Sequence, residues 1–445
     1  MRVTYCTAAL TVNDTVYSWT KSKVKTAQII EEVDPSCQEL SINEATVCVI
    51  DEDKEFDITN TAGAWNDLEY DQPLVLTEYV DGTAVACGTY YLDGWKYADN
   101  LATFTAVDAI GYIARRSYVG HFYNNATAME VLYDIMTAGE YDDYTIDTDL
   151  ASTTLTGFLP SSDCREALRC LCLALGAVAD CRRSSTISIT TAQQHCSEYI
   201  GTDRKFYGNT SAELDEAVAT LTFSVPIYTA GTETETLFCE TLPAGTHTIT
   251  LDPFVEDSID IAEMGDNVSA YGVGGCEITV KSTSAGTVTI TGIKYTATNT
   301  TFSATTTVEN FSDFPETKTY SCPLYNLSTM QTVMASHLEY WQLRKSMRVK
   351  YLLNEEIAGD WVNVVDEDSQ ASTVRLSRQT IDLAGGFVSV AEAKGYTGDM
   401  YDVLFSDDED TDDGDDETYD VTGTGYYSGN EELYAADLEI GNAII

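Results

Sequence analysis

The sequence predicts a mainly β protein with an α+β insert, built from two antiparallel β-barrel-like domains and a small helix-on-sheet domain. Three observations favour this class. The 445 residues are 44% hydrophobic and 10% aromatic, which is a globular composition in a chain long enough for several cores. Thr, Val, Ile and Tyr, which favour strands, are plentiful. Short alternating runs recur along the chain, whereas long helical periodicities are few.

The first predicted β-barrel-like domain covers residues 1–113, where short runs alternate in the manner of strands. Asp81-Gly82 lies between two such runs and is a strong hairpin signal. Many short strands at close spacing are typical of a closed antiparallel barrel or a sandwich. The candidate strands are residues 3–6, 16–19, 27–30, 46–50, 74–80, 88–92 and 102–106.

A small α/β domain is predicted over residues 114–200, and its first helix begins at Thr127. Thr127 and Glu130 have the spacing of a capping box, in which each residue satisfies a backbone donor of the other. An apolar stripe then runs to Gly139, where we expect the helix to end. The stripe consists of Met129, Leu132, Ile135 and Met136.

The rest of this domain is organised around residues 154–190. A short strand over 155–159 is stopped by Pro160, which cannot donate a hydrogen bond to a sheet ladder. A helix and a small sheet follow, so the stretch predicts a packing module. It carries no nucleophile–base pair and no ligand cluster of known spacing.

The second helix of the domain begins at Asp163. Asp163 and Glu166 again have capping-box spacing, and apolar residues then recur at three- and four-residue steps. Gly176 can end this helix in a left-handed turn. Residues 177–179 and 186–189 flank a polar turn and predict a hairpin.

The second predicted β-barrel-like domain covers residues 201–250 and 310–398. Strand-like runs return in both parts. Between them, residues 251–309 predict a β-hairpin insert with a turn near Ala285-Gly286. The two parts of the domain would therefore pair across the insert.

One clear helix is predicted late in the chain, from Thr329 to Arg344. The basic Arg344-Lys345 end suits the negative terminus of a helix. Its apolar face is predicted to contain Val333, His337, Leu338 and Trp341.

Residues 399–445 are predicted to form an acidic C-terminal arm. Nine of the eleven residues from 407 to 417 are Asp or Glu, a block that is normally a solvated loop. An EF-hand register fails, because with Gly414 at the sixth position the first and third positions are Glu409 and Thr411. Loose calcium binding stays open as the less favoured alternative.

The formal net charge of −48 argues against one large class of function. Such a surface repels phosphate backbones, so reading or packaging nucleic acid is disfavoured. An acidic surface would still suit a channel through which DNA slides without binding. Solubility, or adaptation to a salty medium, is the simpler explanation that charge alone favours.

The chain shows no targeting or membrane signal and few signs of disulfides. Residues 1–12 lack a continuous apolar core, so a signal peptide is not expected. Apolar runs fall short of the roughly 20 residues that span a bilayer. Several of the twelve cysteines occur singly in strand-like runs, which favours buried thiols in a reducing cytoplasm over extracellular disulfides.

Chemistry-bearing residues do not assemble into a recognisable site, so we assign no catalytic, cofactor-binding or metal-binding residue and expect no enzyme and no cofactor. A thiol nucleophile at His195-Cys196 has no assignable third partner. Gly272-x-Gly274-Gly275 lacks the helix that a phosphate cradle needs. The remaining candidates, interpreted as structural, are His121, His247 and His337, and a possible metal cluster of Cys164, Cys170, Cys172 and Cys181.

Four groups of short motifs occur in order along residues 1–395. The first group contains Phe56–Asn60, Gly88-Thr89-Tyr90-Tyr91-Leu92 and Phe104–Gly111, with Ala106-x-Asp108-x-Ile110 inside it. The second contains Gly157-Phe158-Leu159-Pro160, Arg165-Glu166-Ala167-Leu168 and Leu175-Gly176-Ala177-Val178. The third is Pro323-Leu324-Tyr325-Asn326. The fourth contains Ala358–Val362 and Gly385-Gly386-Phe387.

In this order the motifs resemble those of the tail-hub, or baseplate-hub, proteins of bacteriophages, also found in prophages of Gram-positive bacteria. The resemblance implies a virion protein at the tail tip, synthesised in the cytoplasm of the host bacterium. It implies a homotrimeric ring in which two barrels per subunit give six similar modules around the axis. The implied partners are a tail tube or distal tail protein, and a tip, spike or fibre protein. DNA would pass through without specific binding, and stable membrane insertion is not expected.

Two other functions stay open. The 28 Tyr and five Trp could provide sugar-stacking platforms, so a β-rich receptor-binding or carbohydrate-binding adhesin is the main alternative. A tail-associated hydrolase is the other. It is disfavoured because the chain ends in an acidic arm where relatives often continue into a peptidase or fibre-like region.

Overall fold

The structure, a computed structural model, describes residues 3–191, 196–255, 258–260, 268–274, 276–306, 313–365 and 371–396. Strands far outnumber helices within these ranges, which confirms the mainly β prediction. A 3-10 turn covers Ala64–Asp67. The helices of the described residues are α1 (Ala109–Ile113), α2 (Ala128–Ala138), α3 (Thr148–Ala151), α4 (Cys164–Leu175) and α5 (Met330–Trp341).

The strands fall into an N-terminal group, a middle group and a C-terminal group. The N-terminal strands are β1 (Thr4–Val12), β2 (Thr15–Trp19), β3 (Val24–Glu32), β4 (Glu44–Ile50), β5 (Pro73–Val80), β6 (Thr83–Ala98) and β7 (Leu101–Val107). The middle strands are β8 (Ser117–Tyr118), β9 (His121–Thr127), β10 (Tyr144–Ile146), β11 (Thr154–Leu159), β12 (Ser162–Asp163), β13 (Ala177–Asp180), β14 (Ile187–Thr191), β15 (Cys196–Ile200), β16 (Ser211–Leu214), β17 (Val218–Ala230), β18 (Glu235–Leu242), β19 (Gly245–Thr250), β20 (Val268–Gly274), β21 (Glu277–Ser282), β22 (Gly286–Gly292), β23 (Tyr295–Thr305), β24 (Glu316–Ser321) and β25 (Leu324–Tyr325). The C-terminal strands are β26 (Lys345–Leu352), β27 (Trp361–Val365), β28 (Ala371–Asp382) and β29 (Val388–Gly395).

One thirteen-stranded sheet joins the two ends of the chain. Its order is β16-β26-β29-β28-β3-β4-β7-β6-β5-β1-β2, and β27 connects β28 to β15. The N-terminal and C-terminal strands meet where β3 pairs antiparallel with β28. Alternate residues are buried along these strands, so one face of each contributes to a shared core. Core residues from both ends include Leu10, Val47, Phe104, Val349, Tyr351 and Leu376.

All seven strands predicted in residues 1–113 are present, as β1 to β7. The predicted hairpin at Asp81-Gly82 is confirmed, because β5 and β6 pair through Val80 and Thr83. Asp81 and Gly82 have φ values of 51° and 88°. Positive φ at both central residues is the turn geometry that matches the twist of paired strands. The division of the chain into domains stays a prediction.

Helix α2 confirms the predicted capping box, since the Thr127 hydroxyl accepts from the Glu130 backbone and the Glu130 carboxylate accepts from the Thr127 backbone. Of the predicted stripe, Leu132, Ile135 and Met136 are buried, but Met129 is 43% exposed. Met129 shares the solvent face with Tyr133, four residues on. Val131 occupies the buried face instead, so the prediction for Met129 is wrong.

Helix α4 begins and ends at the predicted residues, but only half of the predicted capping box forms, because the Glu166 carboxylate accepts from Arg169. The Asp163 carboxylate accepts from the Glu166 backbone N–H at 2.8 Å, and Gly176 adopts the left-handed conformation. β13 and β14 then form the predicted antiparallel hairpin. Nearly every side chain of α4 is buried, because the helix packs against α1, α2 and α5 as well as against strands.

The predicted hairpin at Ala285-Gly286 is wrong. That turn joins β21 to β22, which belong to different sheets: β21 pairs with β19 and β20, while β22 pairs with β18. Alternation identifies a strand but not its partner, and here the partners are distant in sequence. A third sheet, β23-β17-β24, packs against α5 and shares its core.

Helix α5 keeps the predicted apolar face, in which Val333, His337 and Leu338 are buried. Its predicted end is wrong, because the helix stops at Trp341 and Lys345 begins β26. Lys345 is drawn into the main sheet by pairing with both Leu214 and Gly395. The basic residues therefore do not lie on the last helical turn. The acidic arm and its calcium-like pattern lie outside the described residues.

Candidate assembly surface

The β16 end of the main sheet is an open edge of the described residues. Within them β16 pairs only with β26, and all four of its side chains are exposed. A strand at a sheet edge leaves a row of backbone N–H and C=O groups that can pair with another chain. Leu214 is 61% exposed at the end of this strand, and Tyr207 just before it is 83% exposed. The edge therefore combines free backbone groups with apolar side chains.

Two contacts fix the chain alongside this edge. The Phe206 backbone N–H donates to the Lys350 carbonyl at 2.9 Å. The Lys350 ammonium lies 5.0 Å from the centre of the Phe206 ring, within the range of a cation–π interaction. These contacts fix the chain next to Tyr207, and Leu214 is placed by its pairing with Lys345 of β26. The opposite end of the sheet is β2, where Val16 is 60% exposed.

Many of the arginines are engaged in ion pairs. Most arginines of the described residues lie within 4.0 Å of a carboxylate, so the surplus of acidic residues dominates the surface. The arginines with such partners are Arg115, Arg116, Arg165, Arg169, Arg182, Arg183, Arg204 and Arg378. A surface of this kind repels a phosphate backbone at low ionic strength.

The second and third groups of sequence motifs pack against each other in the structure. Gly157 in β11 lies opposite Leu324 in β25, so the second and third motif groups contact each other directly. Gly157 has a φ of +143°, and a Cβ there would lie 2.0 Å from the Pro323 carbonyl oxygen. Only glycine fits this approach of two backbones.

The first motif group is explained by two further contacts. Gly88 has a φ of +109°, and a Cβ there would lie 3.2 Å from the Arg183 Cα. The buried Asp108 carboxylate caps α1 by accepting from the Gly111 N–H at 2.9 Å. It also accepts from the Asn43 backbone at 2.8 Å and the Asn43 amide at 2.6 Å. Burial raises the pKa of Asp108, while these hydrogen bonds act in the opposite direction.

The histidines singled out from the sequence lie apart. His337 is buried, with one ring nitrogen 3.2 Å from the Pro35 carbonyl and the other 3.3 Å from the Leu173 carbonyl. Burial lowers the pKa of His337. His121 lies beside the Tyr123 ring in β9. His247 contacts the Pro243 carbonyl at 2.8 Å, and His195 lies outside the described residues.

The cysteines of α4 are buried thiols. Burial raises the pKa of Cys170 and of Cys172 to about 12, so both stay protonated at neutral pH. No group of three or more His, Cys, Asp or Glu side chains that could hold a metal ion occurs within the described ranges. None of the helices in that part of the chain is long and apolar enough to cross a membrane.

Comparison with known proteins gives similarity at the level of structure. No protein-family model matches the chain. No curated protein matches it either. The tail protein from Neisseria meningitidis MC58 has a similar structure, with a TM-score of 0.51 and 9% sequence identity. That similarity covers 88% of this chain and 96% of the other, so the two share a fold.

Two further solved structures align over similar lengths. The prophage tail protein from Listeria monocytogenes EGD-e has a TM-score of 0.48 and 8% identity, covering 89% of this chain and 97% of the other. The 43 kDa tail protein of prophage MuSo2 from Shewanella oneidensis has a TM-score of 0.45 and 11% identity, covering 87% and 98%. All three of these structures are described as tail proteins, two of them from prophages.

Proposed function

We propose that the chain is a structural protein of a bacteriophage tail tip, a baseplate hub whose subunits form a trimeric ring between the tail tube and the tip. The observation that supports this most is the shared fold with a tail protein over 88% of the chain. The ordered motifs add independent support, because the structure gives Gly88, Asp108 and Gly157 defined roles in the fold. The protein acts by assembly and catalyses no reaction.

The edge of the main sheet supplies the contact between subunits in this proposal. A neighbouring subunit covers β16, Tyr207 and Leu214, and so satisfies backbone groups and removes apolar surface from water. Large aromatic side chains at the centre of an interface commonly carry much of its binding energy. In the trimer, this contact between subunits is repeated three times around the axis.

The charge of the ring suits passage of DNA. With 72 acidic residues against 24 basic ones and a net charge of −48 per chain, a central channel would present mainly carboxylates to the phosphates. DNA then slides through without specific binding, since phosphate contacts by Lys and Arg supply most non-specific affinity. The partners are a tail tube or distal tail protein on one side and a tip, spike or fibre protein on the other. The protein is made in the host cytoplasm and resides in the virion.

The native mass of the purified protein, combined with class-averaged electron microscopy along the particle axis, tests the proposal. The expected result is a trimer with a central hole and six similar lobes. A protein that stays monomeric at high concentration, even with its tail-tube neighbour, would contradict it. Specific glycan binding by such a monomer would favour the adhesin instead.

A further inference from the structure

A cleft of about 310 Å³ lies between α5 and the C-terminal strands. The end of α4 and Pro35 close its other sides. Its walls include the rings of Tyr340, Trp361 and Tyr396. The cleft is thus separate from the β16 edge, and its mixture of aromatic and polar groups resembles a site for a peptide segment.

One wall of the cleft carries an arginine without an ion pair. The Arg375 Nε donates a hydrogen bond to the Gly359 carbonyl at 3.1 Å. The acceptor is thus a neutral backbone group and not a carboxylate. No carboxylate of the described residues lies within ion-pair distance of Arg375, in contrast to most arginines of this acidic chain. Burial lowers the pKa of Arg375 and the charge of nearby Arg182 acts in the same direction, whereas Tyr340, Glu339 and Asp360 act in the opposite direction. A carboxylate within hydrogen-bond distance of the guanidinium would add a charge-assisted hydrogen bond.

Trp361, on the same cleft, has a buried donor without a partner. Trp361 is 6% exposed, and its indole N–H is buried without a hydrogen-bond partner among the described atoms. Buried donors of this kind are rare, because an unmade hydrogen bond is costly. The Trp361 ring stacks on Tyr396, with ring centres 6.1 Å apart and planes 14° from parallel. A carboxylate in this cleft could pair with the arginine cation and also accept a hydrogen bond from the indole N–H.

The continuation of the chain is the occupant that the geometry favours. Tyr396 lines the cleft and is the last described residue, so the following segment starts at its wall. Every charged residue from 397 to 445 is acidic, beginning with Asp399 and Asp402. Three residues of extended chain span up to about 10 Å, which is enough to bring Asp399 across such a cleft. A ligand tethered at the site has a millimolar effective concentration, so a modest interaction suffices.

We propose that this cleft is a carboxylate-binding site for the acidic segment that follows Tyr396, with Arg375 and the Trp361 indole as donors to Asp399 or Asp402. The segment fills the cleft in the same chain. This contact anchors the start of the acidic arm where α5 meets the main sheet. It does not depend on the proposed role in a tail tip.

Zero-length crosslinking of the full chain tests the proposal. Arg375→Lys places an amine in the cleft, and a carbodiimide then joins it only to a carboxylate in direct contact. Mass spectrometry is expected to find a link from position 375 to Asp399 or Asp402. Arg348→Lys is the matched control, because Arg348 is exposed on neighbouring β26 and should show no preference for these two aspartates.

Two outcomes of the crosslinking would overturn the proposal. The first is a link from position 375 to Glu339, to another carboxylate before residue 397, or to the acidic residues beyond 407. The second is a link found only between copies, which a mixture of unlabelled and ¹⁵N-labelled protein reveals by the masses of the linked peptides.

Hydrogen exchange of the full chain provides a readout without substitution at position 375. Asp399→Asn/Asp402→Asn is expected to exchange about tenfold faster than the wild-type chain over residues 361–365 and 396–402, because charge-assisted hydrogen bonds are lost. Asp420→Asn/Asp437→Asn serves as a control of the same charge change. Equal exchange in the double variant and the wild-type chain would overturn the proposal.

Discussion

Arg183 and Glu31 form a two-point ion pair inside the protein. Arg183 Nε lies 2.6 Å from Glu31 Oε1, and Nη2 lies 3.1 Å from Oε2. The Glu31 side chain is fully buried and that of Arg183 is 11% exposed. The same Nη2 donates to the Glu356 carbonyl at 2.8 Å. One guanidinium therefore connects the β13–β14 turn to β3 and to the loop before β27.

We expect Arg183→Met to lower the free energy of unfolding by about 3–5 kcal/mol, because the Glu31 carboxylate would be left buried without its partner. The double variant Glu31→Leu/Arg183→Met should recover part of this loss, since both charges are then removed. Urea denaturation measures the differences.

Arg378→Met is the control for this prediction. Arg378 pairs with Glu32, the next residue of β3, at 3.7 Å, but both side chains are more than 40% exposed. The loss should stay below about 1 kcal/mol, as is usual for surface pairs. Equal losses in Arg183→Met and Arg378→Met would contradict the importance given to burial.

Gly157→Ala should be among the most damaging small substitutions. The added Cβ would overlap the Pro323 carbonyl oxygen, which belongs to backbone and has no side-chain freedom to move away. We expect a loss of about 3 kcal/mol or more, or failure to fold. Gly82→Ala is the matched control, since Gly82 also has positive φ but meets nothing within 4 Å. Its loss should be about 1 kcal/mol, from backbone strain alone. Thermal unfolding distinguishes the two variants.

Asp108→Ala should cost more than an ordinary helix cap. It removes an acceptor that serves the Gly111 and Asn43 backbones and the Asn43 amide in a buried site. We expect a loss of about 2–4 kcal/mol, because several buried donors are left unpaired. Asp163→Ala removes an exposed cap and should cost about 1 kcal/mol. Similar losses for both variants would contradict this account.

These sites also show which features the sequence could predict and which it could not. The capping box of α2, the Asp163 cap and Gly176 end of α4, and the Asp81-Gly82 turn were predictable, because their chemistry acts over a few residues. Arg183 and Glu31 are 152 residues apart, so no local pattern relates them. The helix end at Arg344-Lys345 was mispredicted for the same reason: a strand distant in sequence recruits Lys345. Local signals identify elements, whereas pairing decides their partners.

His337 should make stability depend on pH. Its folded-state pKa lies below the ordinary value of 6.5, chiefly because of burial, so below about pH 6.5 the unfolded chain binds a proton that the folded chain does not. Stability is therefore lost as pH falls through that value towards the folded pKa. We expect His337→Gln to lose less stability than the wild-type chain between about pH 7.5 and about pH 5.5. Carboxylate titration is common to both proteins and cancels in the comparison. A larger loss in the variant would contradict the sign.

The last prediction concerns the sheet edge. Tyr207→Asp/Leu214→Asp should weaken association of subunits by about 100-fold or more, because two exposed apolar side chains at the edge strand become charged and repel an acidic neighbour. The monomer should keep its melting temperature, since both side chains are exposed and contribute little to the core. Analytical ultracentrifugation over a range of concentrations measures the change. Met129→Asp/Tyr133→Asp adds the same charge on the solvent face of α2 and should leave association unchanged. If the two double variants associate equally well, subunits do not meet through the β16 edge.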